Sequence, residues 1–338
     1  MVTPKSWREW EKPLLELDDA LDKLRELSRS APGEKRREIQ AKITEFETRR
    51  DAYIRTVYGD LGVWEKVLVA RAETRPYTLD YLNALTSDFI ELQGDRRYGM
   101  DHAIIGGPAI FRGHPVMILG QQKGRNIQER QHRNFAMAKP EGYRKAIRLM
   151  EMADRFRMPI LSFVDTPAAD PSPDSESRGI SEAISDAILT SFGLGVPFIA
   201  VIIGEGGSGG AIGIATGNRV LMLEHAVYSV IPPEGCAAIL WRQPERGADA
   251  SVALQLTAQH AYQFGLVDEI VAEPFGGAHR DPAEAAVRVG DALENVLNDL
   301  LELTPDQLRE DRYEKFRSMG RHEVVEGVLS APDPHRRA

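Results

Sequence analysis

The sequence of 338 residues predicts an α/β fold in which repeated strand–loop–helix units form a mostly parallel sheet with helices outside it. Two observations lead to this prediction. Short, uninterrupted apolar segments recur near residues 116, 160, 198 and 226, and segments with helical apolar spacing lie between them. Residues from about 6 to 72 are strongly helical in their apolar spacing, apart from one break. We therefore expect an N-terminal helical arm over 1–75 and an α/β domain over 76–338.

The N-terminal arm is predicted to form two antiparallel helices. Apolar residues recur there at intervals of three and four, with a break at 30–33, where the chain reads Ser-Ala-Pro-Gly. The two stripes consist of Leu14, Leu17, Leu21 and Leu24, and of Ile39, Ile43, Phe46 and Val57. Each stripe needs a surface to cover, and that surface is either the other helix, the main domain or a second subunit.

The α/β domain begins after a boundary at 75–80. Thr78 is predicted to cap a helix that runs through Leu82, Leu85 and Phe89. Strands are predicted at 103–105, 108–111, 116–119, 160–164, 198–203, 219–222, 226–231 and 267–271. Helices are predicted at 141–156, 181–192, 237–241, 251–264 and 282–303. The proline-rich segment 165–174 is predicted to be neither helix nor strand.

The composition excludes several classes of function. A net charge of −9 gives no general electrostatic case for nucleic acid as a partner. No apolar run is long enough to span a bilayer, and residues 1–5 do not resemble a signal peptide. Cys236 is the only cysteine, so an intrachain disulfide is excluded and a zinc site would lack thiolates. We expect a cytoplasmic protein that has no metal of its own and binds neither membrane nor nucleic acid.

Four loops are predicted to meet at the carboxyl edge of the sheet, where ligands bind in open α/β folds. They are the segments 120–125, 165–174, 204–210 and 232–236. The first of them contains Lys123 and Arg125, with glycines beside them, just after a predicted strand. This arrangement predicts anion binding by these two side chains.

The glycine-rich segment 204–210 fits three patterns at once. Gly204, Gly206 and Gly209 spell the dinucleotide pattern G-x-G-x-x-G, and Gly206, Ser208 and Gly210 spell the nucleophile elbow G-x-S-x-G. The same backbone amides could instead stabilise an oxyanion. The dinucleotide reading is disfavoured, because that turn belongs to the first strand–helix unit of a domain and at least two units precede this one.

A serine hydrolase is the stronger of the two side-chain alternatives. Ser208 would be the nucleophile, and Asp268 and His279 follow it in the chain order of that class. Such an order also arises by chance in long chains. We favour the interpretation that His279 is a histidine of a surface loop.

Seven motifs favour the third interpretation, in which backbone amides of the glycine-rich segment stabilise an oxyanion. Together these motifs span nearly the whole chain. In order, they are RPYTLDY at 75–81, GDR at 94–96, PEGYRKA at 140–146, RLMEMA at 148–153, GEGGSGGA at 204–211, PEGC at 233–236 and GGAHR at 276–280. In these motifs the chain resembles the alpha-subunit family of bacterial-type acetyl-CoA carboxylase carboxyltransferases, which belongs to the crotonase (ClpP-like) superfamily. The resemblance implies a crotonase-like fold.

The resemblance also implies a reaction and its partners. A carboxyl group would move from carboxybiotin, on a biotin carboxyl carrier protein, to acetyl-CoA, giving malonyl-CoA. A beta subunit of the same fold would carry zinc and most of the CoA, in an assembly such as alpha2beta2, and biotin carboxylase would complete the enzyme. The alpha subunit itself would bind no cofactor covalently.

The resemblance assigns roles to residues as well. The amides of Gly206 and Gly207 would be catalytic and would stabilise an oxyanion on biotin. Substrate contacts are expected from the two cations of the first loop and from residues of the later loops. These expected contacts are Lys123, Arg125, Ala168, Ala169, Ser208 and Gly235.

One loop departs from the family pattern, which reads D-T-P-G-A-Y-P-G-x-G-x-E-E-R-G-Q after the strand at 160. The replacements are Ala168, Asp170, Ser172, Asp174, Ser177 and Ile180, and Gln121 stands where the family often has histidine. Three glycines are lost, and each position that needed a positive φ would now cost roughly 1 kcal/mol or more. The departure in this loop leaves three alternatives open. The chain could be a relative that acts on another acyl-CoA, a relative that belongs to a decarboxylase, or a relative with a non-catalytic role.

Overall fold

The computed structural model describes residues 9–320, and within this range it contains one eight-stranded mixed sheet. The strands are β1 (Thr86–Ser87), β2 (Ile104–Phe111), β3 (His114–Gln121), β4 (Ile160–Thr166), β5 (Phe198–Gly207), β6 (Arg219–Leu223), β7 (Val227–Ser229) and β8 (Glu269–Val271). Their order is β1-β2-β3-β4-β5-β6-β8, and β7 pairs with the end of β5. The pairs β1–β2 and β2–β3 are antiparallel, and all the others are parallel.

The described part of the chain also contains fourteen α-helices. They are α1 (Lys12–Ser30), α2 (Gly33–Tyr58), α3 (Val63–Ala70), α4 (Thr78–Leu85), α5 (Ile127–His132), α6 (Pro140–Phe156), α7 (Pro173–Ser177), α8 (Ile180–Gly193), α9 (Ser208–Ala215), α10 (Pro233–Trp241), α11 (Gly247–Leu254), α12 (Ala258–Gln263), α13 (Pro282–Leu301) and α14 (Pro305–Arg317). Every residue of β4 and β5 is buried, as expected for parallel strands between two helical layers. The predicted fold class is therefore confirmed.

The N-terminal arm contains the predicted antiparallel pair, α1 and α2. Residues 31 and 32 connect the two helices and are not helical. Leu14 and Leu21 of the first stripe are buried. The arm also contains α3, which the sequence analysis did not separate from α2. Residues 1–8 and 321–338 lie outside the described part of the chain. The division into an arm and a domain at residue 75 stays a prediction.

The start of the domain differs from the prediction in one detail. Thr78 does not cap α4, because its hydroxyl donates to the carbonyl of Gln121, at 2.5 Å. The cap is made by Asp80, whose carboxylate accepts the backbone N–H of Tyr77 at 2.7 Å. The helix ends at Leu85, before Phe89, because the chain then enters β1.

The segment 103–111 is one strand instead of two. Gly106 and Gly107 lie inside β2 because a neighbouring extended segment crosses them closely. A Cβ on Gly107 would collide with the backbone carbonyl of Ile90, and the N–H groups of Ile90 and Leu92 donate to carbonyls of β2. The glycines therefore allow close backbone packing and do not form a turn.

The carboxyl-terminal part of the described chain also differs from the prediction. The segment 251–264 is divided into two helices, since Gln255 adopts a left-handed conformation and Thr257 caps α12. The helix α13 ends at Leu301, and α14 follows it with a capping box between Thr304 and Gln307. The side chain of Arg312 anchors α14 by donating to three backbone carbonyls in the region before β5. Between residues 9 and 320, no helix has the length and apolar character that a bilayer crossing requires.

Candidate active site

The glycine-rich segment 204–210 lies at the carboxyl edge of the sheet, as predicted, but its conformation differs from a simple turn. Gly204 to Gly207 continue β5, and they pair with Thr166 of β4 on one side and with β7 on the other. The change of direction occurs at Ser208, which has φ +52° and begins α9.

Two of the glycines let the loop after β4 pack directly on the segment. A Cβ on Gly207 would collide with the carbonyl of Pro167 and would lie 2.8 Å from that of Thr166. A Cβ on Gly210 would lie 2.5 Å from backbone atoms of Ala168 and Ala169. The two predicted substrate contacts, Ala168 and Ala169, therefore lie against the glycines through their backbones.

A small cleft opens beside the glycine segment. Gly206 and Gly207 form part of its wall, together with Arg71 from the arm and Glu205. The other lining residues are Pro167, Val227, Ser229, Ile231, Pro232, Pro233 and Leu256. Gly235, another predicted substrate contact, lies in the first turn of α10 just after this wall. The structure thus brings the two glycines predicted to be catalytic into the wall of one cleft.

The first turn of α9 supplies further backbone amides at the same edge. The first N–H groups of a helix have no intrahelical acceptor, and no side chain caps this one. Gly210 is fixed from the other side, since its carbonyl accepts from Gln121 Nε2 at 2.7 Å and from the Tyr143 hydroxyl at 3.2 Å. Gln121 also accepts the backbone N–H of Asp165 at 3.0 Å. It therefore joins the start of α9 to the irregular end of β4.

A buried array of charges lies under the glycine segment. Lys123 Nζ donates to Asp165 at 2.7 Å and to Glu205 at 3.0 Å, and Arg71 Nε donates to Glu205 at 2.7 Å. Burial would lower the pKa of Lys123, but the two carboxylates outweigh burial and raise it. Burial likewise favours a raised pKa of Glu205, yet Lys123 and Arg71 hold that pKa at about 2. The pKa of Asp165 is raised, chiefly because of burial.

The two predicted anion-binding cations are both engaged by the protein. Lys123 is held by the carboxylates of the charge array. Arg125 stacks on the ring of Tyr77 at 4.0 Å, donates to the carbonyl of Glu73 at 2.6 Å and pairs with Asp80. Their role as substrate contacts stays a prediction.

The divergent loop after β4 leads into a short helix, although its sequence predicts neither helix nor strand over 165–174. Ser172 caps α7 (Pro173–Ser177) through its hydroxyl. The carboxylate of Asp170 accepts from the hydroxyls of Ser172 and Ser175, each at 2.6 Å. Ala168, Ser172 and Asp174, which replace family glycines, all avoid the positive-φ region. The expected strain therefore does not arise at these positions.

The residues of the alternative hydrolase relay are not brought together. Asp268 precedes β8 and so lies at the amino edge of the sheet, whereas Ser208 lies at the carboxyl edge. Asp268 accepts the backbone N–H of Val220 and pairs with Lys315. His279 contacts Tyr58 at 3.1 Å and Glu11 at 2.9 Å. It is also buried, so its interpretation as a surface-loop histidine is wrong.

Three charged residues of the site, Arg71, Asp165 and Glu205, were not predicted from the sequence. Arg71 follows an arm helix, and its two partners lie 134 and 163 residues further along the chain. Glu205 was visible only as a polar residue between glycines. A carboxylate at the end of a buried strand, such as Asp165, was the one available signal.

Solved structures identify the fold of the chain. Transcarboxylase 12S, with methylmalonyl-CoA bound, aligns with a TM-score of 0.53 and 18% identity over 68% of this chain and 42% of that chain. A Pseudomonas malonate decarboxylase hetero-tetramer in complex with coenzyme A aligns with a TM-score of 0.53 and 19% identity over 69% of this chain and 91% of that chain. The fold is that of the crotonase-like carboxyltransferases.

Similarity in sequence identifies the family to which the chain belongs. The family described as "Acetyl co-enzyme A carboxylase carboxyltransferase-like" matches residues 7–320, and the chain belongs to this family. The acetyl-coenzyme A carboxylase carboxyl transferase subunit alpha of Geobacter metallireducens is 50% identical over 93% of this chain and 97% of that protein. The protein of the same name from Paramagnetospirillum magneticum is 50% identical over 93% of this chain and 98% of that protein.

Proposed function

We propose that the chain is the alpha subunit of an acetyl-CoA carboxylase carboxyltransferase, which makes malonyl-CoA from acetyl-CoA and carboxybiotin. Relatives of that name match almost their full length. The observation that carries the proposal is that Gly206 and Gly207 lie in the wall of the cleft at the carboxyl edge of the sheet. Backbone amides at such a place suit a reaction in which charge develops on an oxygen.

The proposed chemistry needs few side chains. The bond between the biotin nitrogen and the carboxyl carbon breaks, CO₂ leaves, and the electron pair remains on the ureido group with charge on its oxygen. Amides of Gly206 and Gly207 would stabilise that oxyanion. The biotin nitrogen then takes a proton from the methyl group of acetyl-CoA, and the resulting carbanion attacks CO₂ to give malonyl-CoA. Atoms and charge balance without a protein acid or base.

The proposal includes partners that the alpha-subunit name suggests only in general terms. We expect a beta subunit, a biotin carboxyl carrier protein and biotin carboxylase, with the two carboxyltransferase chains in an alpha2beta2 assembly in the cytoplasm. Zinc is expected in the beta subunit. In the described part of the chain, no three His, Cys, Asp or Glu side chains are grouped so that they could hold a metal ion.

A second candidate is the same reaction on a different acyl-CoA. The specific observation that favours it is the acidic, serine-rich network around Asp170, which occupies the loop next to the glycine segment. This loop lacks three glycines and the tyrosine of the family pattern.

The decisive experiment is co-expression with a candidate beta subunit, followed by carboxyl-transfer assays on acetyl-, propionyl- and butyryl-CoA. We expect a stable complex whose activity requires both chains and is highest on acetyl-CoA. A preference for a longer acyl group would select the second candidate. An isolated chain that is a monomer and carboxylates acetyl-CoA from free carboxybiotin would contradict the proposal.

A further inference from the structure

Arg71 reaches the candidate active site from outside the α/β domain. It directly follows α3 of the arm, yet its side chain forms part of the cleft wall beside Gly206 and Gly207. Its guanidinium group contacts two carboxylates, Glu205 from β5 and Glu234 from the first turn of α10. Arg71 therefore joins three elements around the cleft.

The contact with Glu205 fixes the position of the guanidinium group. Arg71 Nε donates to Glu205 Oε2 at 2.7 Å, while Glu205 Oε1 is held by Lys123 at 3.0 Å. The Glu205 side chain is only 12% exposed. Since Lys123 and Arg71 both bind it, Glu205 is a permanent anion of the site.

The contact of Arg71 with Glu234 is more exposed to solvent than its contact with Glu205. Both terminal nitrogens of Arg71 bind this carboxylate, at 2.6 and 3.3 Å, in the two-point geometry that guanidinium groups offer to carboxylates. The Glu234 side chain is 41% exposed, and among the described residues its carboxylate has no other hydrogen-bond partner. The carboxylate of Glu234 therefore faces solvent on one side, and water or another anion can approach it there.

The cleft therefore contains a guanidinium group that is held at one edge by the buried carboxylate of Glu205 and at its outer edge by the partly exposed carboxylate of Glu234. We propose that this edge of Arg71 binds the carboxylate of the carboxylated substrate, and that Glu234 occupies the same position when that substrate is absent. The inference rests on the proposed carboxyltransferase function and names one substrate class that the site recognises, a thioester bearing a free carboxylate. Malonyl-CoA is such a thioester, and acetyl-CoA is not.

The exchange has a consequence for selectivity. A carboxylated thioester must displace Glu234, whereas an uncarboxylated thioester makes no use of the guanidinium edge. Loss of Arg71 should therefore weaken binding of malonyl-CoA specifically. Loss of the Glu234 charge should strengthen it, because the competing carboxylate is gone.

The test uses the assembled complex with the beta subunit and compares KM for malonyl-CoA, in the reverse reaction, with KM for acetyl-CoA. The variants are Arg71→Gln, Arg71→Lys, Glu234→Gln and the double variant Arg71→Gln/Glu234→Gln. Glu284→Gln is the matched control, since Glu284 is also about half exposed and paired with an arginine, Arg288. Assembly of each variant is checked by sedimentation.

We expect Arg71→Gln to raise KM for malonyl-CoA by roughly tenfold or more, with KM for acetyl-CoA little changed. Arg71→Lys should give an intermediate value, because an ammonium group cannot make the two-point contact. Glu234→Gln should lower KM for malonyl-CoA severalfold, and this gain should vanish in the double variant. Glu284→Gln should leave both KM values unchanged.

Equal changes of both KM values in Arg71→Gln would overturn the inference, and so would a gain from Glu234→Gln that persists without Arg71. If Arg71→Gln fails to assemble, Glu234→Gln alone decides, and an unchanged ratio of the two KM values rejects the exchange. A wild-type complex without transfer activity would instead contradict the proposed function. Calorimetric binding of malonyl-CoA and acetyl-CoA to the same variants would then test the role of Arg71 separately.

Discussion

The five glycines of the 204–210 segment are not equivalent. A Cβ on Gly207 or Gly210 would meet backbone atoms of the neighbouring loop, so any side chain there displaces the loop. A Cβ on Gly206 would meet side-chain carbons, at 2.8 Å from the ring of Tyr228 and 3.3 Å from Ile202. On Gly209 it would make only an ordinary contact with Ile184, at 3.4 Å. These differences decide which substitutions can test the amides and which disturb the fold.

Gly206→Ala is the informative substitution for the oxyanion role. The added methyl group should rotate or block the amides in the cleft wall and leave the loop backbone in place. Removing one oxyanion donor typically lowers the rate on the order of a hundred- to a thousandfold, and we expect a loss of that size in carboxyl transfer. Gly209→Ala is the matched control and should retain near wild-type activity. Similar activities of the two variants, with intact complexes, would refute the oxyanion role of this segment.

Ser208→Ala separates the oxyanion interpretation from a nucleophilic serine. Ser208 has φ +52°, and the two candidate relay residues, Asp268 and His279, are bound to other residues. Because alanine can replace it without loss of a proton-transfer partner, we expect carboxyl transfer to remain within about tenfold of the wild-type rate. The measurement is the transfer rate, together with labelling by a serine-directed reagent. Covalent labelling of Ser208, or an activity loss as large as that of Gly206→Ala, would restore the nucleophile.

The loop after β4 is an element whose shape comes from side chains and not from glycines. Asp170 accepts two serine hydroxyls, and its backbone N–H donates to the carbonyl of Ala138 at 3.0 Å. Burial would raise the pKa of Asp170, but hydrogen bonds from Ser172 and Ser175 outweigh burial and lower it. The loop is therefore ordered by an ionised carboxylate at neutral pH.

Asp170→Ala should release this loop. The buried hydroxyl of Ser175 would lose its acceptor, which typically costs about 1–3 kcal/mol. We expect a lower thermal midpoint and an altered ratio of rates on acetyl-, propionyl- and butyryl-CoA. Asp174→Asn, on the same turn but 65% exposed, is the control and should change neither quantity.

Replacing this loop by the loop of the family pattern complements the Asp170→Ala experiment. Restoring the family residues Gly, Tyr, Gly and Gly at 168, 170, 172 and 174 removes the carboxylate and should shift the same ratio of rates while the complex still assembles. Unchanged rates on all three thioesters in both Asp170→Ala and the graft would show that the loop has no effect on substrate choice.

Elements with a strong apolar pattern were predictable, and those held by distant polar contacts were not. The core of β4 and β5 followed from unbroken apolar runs, since such runs occur where both faces of a strand are buried. The glycine end of β5 could not be read in this way, because glycine carries no side-chain pattern. The helix α14 was missed because much of its anchoring comes from Arg312, which binds carbonyls more than 110 residues earlier in the chain.

The candidate site, too, was predictable where its residues form a local pattern and unpredictable where they meet through distant contacts. Its position at the carboxyl edge and its glycines were predictable from local sequence, since a strand followed by glycines is a local pattern. The charge array was not, because Lys123, Asp165 and Glu205 meet only when three strands align side by side. The loss of three family glycines suggested strain, which the observed backbone avoids by using conformations open to any residue.

In the molecule as a whole, buried polar contacts join the arm to the sheet. Arg75 is almost completely buried, where it pairs with Glu273 and donates to the carbonyl of Ile203 in β5 at 2.7 Å. Tyr58 of α2 contacts His279 beyond β8, and Arg71 contacts Glu205. The arm is thus connected to the strand that carries the glycine segment.

Glu273→Gln should destabilise the whole molecule, because it leaves the buried guanidinium group of Arg75 without a counter-charge. Breaking a buried ion pair typically costs about 3–5 kcal/mol. Burial would raise the pKa of Glu273, but Arg75 outweighs burial and lowers it to about 2. The stability contributed by Glu273 is therefore complete above its unfolded pKa of about 4.3 and is lost as pH falls toward 2.

The measurement is urea unfolding at several pH values between 7 and 3. Wild-type protein should lose stability below about pH 5, and Glu273→Gln should start lower and show a shallower decline. The exposed pair of Glu284 and Arg288 provides the control, since Glu284→Gln should change stability by less than about 1 kcal/mol. A Glu273→Gln variant as stable as the wild type at pH 7 would contradict the importance of this contact.

The backbone packing of Gly207 on Pro167, and of Gly210 on Ala168, has a consequence for the size of the cleft. A change of position in this loop would uncover the glycine backbone, because no side chain fills the space between them. The rest of the cleft wall comes from other elements, among them Ser229 of β7 and the residues Ile231 and Pro232 before α10. The size of the cleft therefore depends on how the loop after β4 lies relative to β7 and α10.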